Sequence, residues 1–210
     1  MLIAIVGLIG AGKSTLVSNL ATKYGYANYQ EPVDNNPFLS QYYKDPERWS
    51  FTLQVYYLWE RYKQLYEAHM KSLNGEIVVL DSTIYSDMAF ALLQRQSGYF
   101  TKDEYSTYLN MHKIIAAQTA YPDMLVFLQL STKETSERIK MRFRDCESGI
   151  PIKYLEDLNS AYKTILDKLS KHTDVIYIDA RKSADEVCAE VNSIIEDRVK
   201  ADKLDELKYV

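Results

Sequence analysis

Cysteine, histidine and tryptophan are scarce in this 210-residue chain, with two, three and two copies. Cys146 and Cys188 are not spaced as a metal knuckle or a redox pair, so reduced thiols in a cytoplasmic protein are expected. His69, His112 and His172 form no constellation and read as ordinary residues. No apolar run approaches the ~20 residues needed to cross a bilayer, which leaves no membrane partner to expect. Met1 leads straight into an apolar segment, with no room for a secretion signal before it. Positive charge is not in excess: 25 Lys+Arg stand against 29 Asp+Glu, a net −4. That balance argues against nucleic-acid polymers as partners, although a local arginine cluster can still hold a small anion. Internal repeats and low-complexity segments are absent; only the last dozen or so residues, rich in lysine and acid, read as loosely held. The length suits a single α/β domain over residues 1–210 and is too short for two ordinary ones.

Five short apolar segments read as strands: Leu2–Val6, Tyr26–Gln30, Ile77–Leu80, Leu125–Leu130 and Val175–Ile178. Long stretches of helical periodicity separate them, including a second crossover from Pro37 to Leu73. Alternation of this kind predicts a five-stranded parallel sheet covered by helices on both faces. Ligands of such sheets bind at the carboxyl ends of the strands.

Residues 2 to 16 carry the strongest signal. Gly7, Gly10, Gly12, Lys13 and Ser14 satisfy G-x-x-x-x-G-K-[ST], the phosphate-binding P-loop, in a strand–loop–helix context. Glycines let successive backbone N–H groups point at phosphate oxygens, and the helix beginning near Lys13 aims its positive end at them. Leu8, Ile9, Ala11 and Thr15 supply the remainder of the loop. Lys13 is expected near the β- and γ-phosphates, and the Ser14 hydroxyl as a ligand of Mg²⁺ accompanying ATP.

Other strands deliver groups to the same edge. Glu31 precedes Pro32, which keeps it extended at a strand tip, where a carboxylate can take a proton from an attacking hydroxyl. Asp81 ends the run Ile77-Val78-Val79-Leu80 and is expected near the metal. Arg138, Arg142 and Arg144 extend a helix that breaks at Gly149-Ile150-Pro151. They predict a lid over about 142–150 that clamps the transferred phosphoryl group.

With these residues in place the chain resembles the deoxyribonucleoside kinases, the group that includes deoxycytidine, deoxyguanosine and bacterial deoxyadenosine kinases. The resemblance runs from the P-loop to about Tyr162 and rests on four ordered blocks: Glu31-Pro32-Val33, Tyr43 through Gln54, Asp81 through Asp87, and Arg138 through Leu155. In length and compact lid it is most similar to the small bacterial deoxyadenosine kinases. The resemblance implies a nucleoside-monophosphate-kinase-like P-loop fold and transfer of the ATP γ-phosphoryl group to a deoxynucleoside 5′-hydroxyl. By position it implies that Glu31 is the general base and that Gln54 pairs with the base edge. Arg61 and Asp87 would lie deeper in the base pocket, while Tyr43 and Glu147 would hold the sugar 3′-hydroxyl. The arginines at 138, 142 and 144 would meet phosphates. A homodimer through long helices is also implied.

One departure stands out. The family usually has Asp/Glu-Arg-Ser where this chain has Asp81-Ser82-Thr83, so Lys13 and the lid arginines are expected to neutralise the charge near Glu31. Tyr43, Tyr56, Tyr57, Trp59, Tyr62 and Tyr66 read mostly as a core-facing aromatic stripe. Within the family, retention of Arg61 and Asp87 implies a deoxycytidine- or purine-type pocket, and deoxyadenosine is the acceptor expected first, with deoxyguanosine and deoxycytidine close behind. Two alternatives remain: a nucleoside monophosphate kinase, which needs extra cations for the acceptor phosphate, and a nucleotide-dependent switch, whose Asn-Lys-x-Asp element is missing.

Overall fold

A computed structural model describes residues 1–31, 36–141 and 149–207, the stretch 203–207 by backbone alone. In chain order the elements are β1 (Leu2–Gly7), α1 (Lys13–Tyr24), β2 (Ala27–Tyr29), α2 (Leu39–Lys44), α3 (Pro46–Leu73), β3 (Val78–Asp81) and α4 (Ile84–Gln96). There follow α5 (Lys102–Ala116), β4 (Met124–Gln129), α6 (Thr132–Met141), α7 (Ile152–Leu169), β5 (Asp174–Asp179) and α8 (Ala184–Leu207). The strands form one sheet in the order β2-β3-β1-β4-β5, every pairing parallel. All five predicted strands are present, the second trimmed to three residues at the sheet edge.

β1, β3 and most of β4 read as unbroken apolar runs because both of their faces are covered. Ala4, Val6, Leu80 and Phe127 turn toward α3, α4, α5 and α7, where they meet Leu58, Leu65 and Tyr162. Ile3, Ile5, Val126 and Leu128 turn the other way, onto Leu16 and Leu20 of α1 and Val187 and Val191 of α8. Among the described residues no helix is long and apolar enough to cross a membrane.

The second crossover is occupied by α2 and the 28-residue α3. α3 starts where the Asp45 side chain accepts from the Arg48 N–H at 3.2 Å, with Pro46 in its first turn. It stops before Gly75, whose φ of 86° leaves the helical region. Its aromatic residues follow the expected core-facing stripe only in part: Tyr62 packs against the core, whereas Trp59 and Tyr66 do not. Tyr57 is buried, but Trp59 and Tyr66 are 53% and 52% exposed on the opposite side of the helix. The core-facing positions fall instead to Leu53, Leu58, Leu65 and Ala68.

Candidate functional site

The carboxyl ends of β1, β2 and β3 converge on one cavity of about 440 Å³. Its floor is the loop between β1 and α1. Gly10 and Gly12 have φ of 81° and 99°, and Gly12 caps α1 with no side-chain partner, so the first N–H groups of the helix stay available. Ile9 through Ser14, with Thr15, line the cavity. Leu8 serves by backbone only: its side chain is buried in the core, and its carbonyl accepts from Lys13 Nζ at 3.1 Å. Gly7 ends β1 and passes close to Leu128 of β4, shaping the turn from behind.

Ser14 and Asp81, expected to share a metal, do meet: Ser14 Oγ donates to Asp81 Oδ2 at 2.6 Å. Asp81 Oδ1 is buried without a hydrogen-bond partner. Burial raises the Asp81 carboxyl above its ordinary value, while the Lys13 cation and the Ser14 hydroxyl oppose that rise. An acceptor left free beside a serine hydroxyl, above a phosphate loop, fits Mg²⁺. That ion takes one or two protein oxygens and fills its octahedron with water and phosphate. Ser82, next along the chain, is buried at φ 71° and also lines the cavity.

The other end of the cavity is built by α3 and α4. Gln54, Tyr57, Arg61 and Gln64 follow one another at helical spacings of three and four and so share a face of α3. Gln54 Nε2 donates to the Asp87 carbonyl at 3.2 Å, which leaves its Oε1 to accept from a ligand. Arg61, 4% exposed, donates from its two terminal nitrogens to Asp87 Oδ1 and to Glu31 Oε1. Burial alone would lower the guanidinium, but the Asp87 and Glu31 carboxylates outweigh it and hold Arg61 firmly protonated. Tyr108 Oη donates to Asp87 Oδ2 at 2.9 Å. Glu31 is anchored through its neighbour, because Gln64 donates to the Gln30 carbonyl at 2.8 Å and Gln30 donates to Ser18 Oγ at 3.0 Å. Tyr43 lines the same cavity, with Leu39, Leu53 and Phe90 as apolar walls.

Sequence reasoning placed the cations near Glu31 differently. Lys13 turns to the Leu8 carbonyl, and the group bonded to Glu31 is Arg61. The distances in sequence explain the miss: Arg61 lies 30 residues from Glu31 and on another element. Arg138 does reach the P-loop, but its guanidinium donates to the Ala180 carbonyl at 2.6 Å and to the Ala11 carbonyl at 3.5 Å. Arg142, Arg144 and Glu147, with most of the expected lid, lie outside the described residues.

A second wall went unread in the sequence. Ala180, Lys182, Ala184 and Val187, from the turn after β5 and the start of α8, close the far side of the P-loop. No charge pattern marks them; their signal is the end of a strand, where such sheets bind ligands. A phosphate cradle thus lies between two lateral compartments, one lined by Gln54, Arg61 and Asp87, the other by this turn.

Residues 3–200 match the family model described as deoxynucleoside kinase. The chain belongs to the deoxynucleoside kinase family. A deoxyadenosine kinase of Dictyostelium discoideum is 35% identical over 91% of this chain and 80% of its own length. The deoxyadenosine/deoxycytidine kinase of Bacillus subtilis is 30% identical over 95% of each. Deoxyadenosine kinase from M. mycoides, solved with dCMP and a flexible dCDP bound, superimposes with a TM-score of 0.83 at 30% identity, covering 94% of this kinase and all of that chain. The same enzyme with dATP bound gives 0.81 at 31% identity, over 92% and 98%. This protein is therefore a deoxynucleoside kinase, a phosphotransferase on the P-loop α/β fold.

Proposed function

We propose that the kinase transfers the γ-phosphoryl group of ATP to the 5′-hydroxyl of deoxyadenosine, with deoxyguanosine and deoxycytidine as further acceptors. The observation that carries this reading is the placement of Glu31 between the P-loop and the Gln54–Asp87 end of a single cavity. Glu31 takes the proton of the 5′-hydroxyl as its oxygen attacks phosphorus, and the β-phosphate oxygen leaves with ADP. Lys13 and the loop N–H groups face the charge that spreads over the phosphoryl oxygens, and Arg138, Arg142 and Arg144 are assigned to the same task. Ser14 and Asp81 would hold Mg²⁺, which supplies neutralisation of the β- and γ-phosphates.

The acceptor end favours a neutral hydroxyl over a phosphorylated substrate. Arg61, its buried cation, is already bonded to two carboxylates, and Glu31 and Asp87 would repel an acceptor phosphate. Deoxyadenosine is supported by Gln54 Oε1, left free to accept from an amino group on the base edge, and by the substrates named for the relatives above. The exposed apolar face of α3, carrying Trp59, Tyr66, Met70 and Leu73, suits pairing with a second copy. A cytoplasmic place in deoxynucleoside salvage completes the reading.

Initial rates with ATP·Mg²⁺ against the four natural deoxynucleosides, wild type beside Glu31→Ala, test it. A profile led by deoxyadenosine is expected, with kcat in the variant down by about 10²–10⁴, the usual contribution of a general base. Turnover of monophosphates alone, or ATP hydrolysis independent of any acceptor, would overturn it.

A further inference from the structure

Arg61 touches both functional carboxylates at once, Asp87 through one terminal nitrogen and Glu31 through the other. We propose that Arg61 is the positioning residue of Glu31: the cation that completes the base pocket also orients the carboxylate that receives the 5′-hydroxyl proton. The inference rests on Glu31 being the general base, as argued above.

Three features support it. Among the described residues the hydrogen-bond partner of the Glu31 carboxylate is Arg61. The cation of the phosphate loop, Lys13, donates to the Leu8 carbonyl instead. The guanidinium is itself held against rotation, stacked 4.4 Å over the Tyr57 ring and 4% exposed. A planar fork with two terminal nitrogens bridges two carboxylates in fixed geometry, which a lysine point charge does not. A nucleobase that engages Asp87 therefore acts on the same rigid group that aims Glu31. Recognition at one end of the cavity and proton acceptance at the other are coupled through a single side chain.

A positioning role predicts that Arg61 matters for kcat only while Glu31 is present, and a double-mutant cycle on kcat at saturating deoxynucleoside reads this directly. Removing Arg61 alone leaves Asp87 buried without its cation, so the charge-balanced pair Arg61→Met/Asp87→Leu is used beside Arg61→Lys. Thermal melting confirms that each variant folds. With Glu31 intact, the paired change is expected to lower kcat about 100-fold, the low end of what a general base contributes. Arg61→Lys should fall between, since it keeps the charge and loses the bridge. In the Glu31→Ala background the same changes should cost less than about threefold, because no carboxylate remains to be aimed. Costs that multiply in full across the two backgrounds would overturn the proposal. So would a rise in KM with kcat held within about threefold, which is the mark of uniform binding by a base-recognising residue. If the paired variant does not fold, the Arg61→Lys arm decides by the same criteria. A wild type that phosphorylates no deoxynucleoside would instead sink the kinase reading, an outcome visible before any variant is made.

Discussion

A methyl group on Gly10 would stand 2.9 Å from Ile139 Cγ1 of α6, at a φ of 81° that side chains rarely adopt. Gly10→Ala must therefore shift either the loop or the helix behind it, and both line the nucleotide compartment. The expected outcome is a loss of ATP affinity of tenfold or more, about 1.4 kcal/mol, with little change in affinity for deoxynucleoside. Isothermal titration with a non-hydrolysable ATP analogue and with nucleoside separates the two. Asp81→Asn should act differently. It keeps the acceptor for Ser14 Oγ but removes the charge of the orphaned oxygen. ATP affinity should then lose its dependence on Mg²⁺ while nucleoside affinity stays, which titration with and without the ion would show. At this scale the gathering of Gly10, Lys13, Ser14 and Asp81 around one loop was legible because it follows from local order along a strand and its loop. The Arg61–Glu31 contact was not, since nothing in either neighbourhood points to the other.

α3 carries two opposed faces on one helix. Gln54, Tyr57, Arg61 and Gln64 line or brace the acceptor end, and roughly half a turn away Trp59, Tyr66, Met70 and Leu73 stand exposed. Helical periodicity identifies an apolar stripe but does not say whether sheet or solvent meets it, so the aromatic residues were assigned to the core. Tyr66→Glu with Met70→Glu should leave the melting temperature of the monomer nearly unchanged while shifting molar mass by light scattering from dimer to monomer. A mass that is monomeric already in the wild type would refute the pairing. The junction of α4 and α5 supplies a second test. Burial holds the His112 imidazole below its ordinary value, its Nε2 within 3.0 Å of the Ile84 carbonyl. The unfolded chain therefore binds the proton first as pH falls. Stability is complete above the ordinary histidine range near 6.5 and declines as pH drops through it toward the depressed native value. His112→Gln should flatten the melting temperature between about pH 7 and 5 relative to wild type. Equal slopes would show that His112 titrates alike in the folded and unfolded chains, against the depressed native value.

Over the whole molecule, the sheet order β2-β3-β1-β4-β5 sets the arrangement of the chemistry. β1 lies in the middle with its phosphate loop, β2 and β3 bring Glu31 and Asp81 from one side, and the turn after β5 closes the other. In the proposed reading donor and acceptor would thus meet over one loop while resting on different helices. Ligands that bind only the folded state raise its stability by mass action. A nucleoside and a non-hydrolysable ATP analogue with Mg²⁺, each at about 100 times its Kd, should each add about 2.7 kcal/mol. Calorimetry should find the two increments adding or exceeding their sum; mutual exclusion would mean that the compartments overlap.

The family resemblance made Gln54, Arg61 and Asp87 candidates; sequence order by itself determined the parallel α/β class, the five strands, the phosphate loop and the acids Glu31 and Asp81 at strand tips. Those features depend on short-range order: apolar runs, glycine spacing and the residue at a strand tip. Tertiary structure alone decided how the set is wired. It put Arg61 between two carboxylates, turned Lys13 and Arg138 onto backbone carbonyls, faced Trp59 and Tyr66 outward and brought Ala180 to Val187 against the P-loop. Each of those outcomes joins residues far apart in sequence, and only the packing of helices onto the two faces of the sheet brings them within reach.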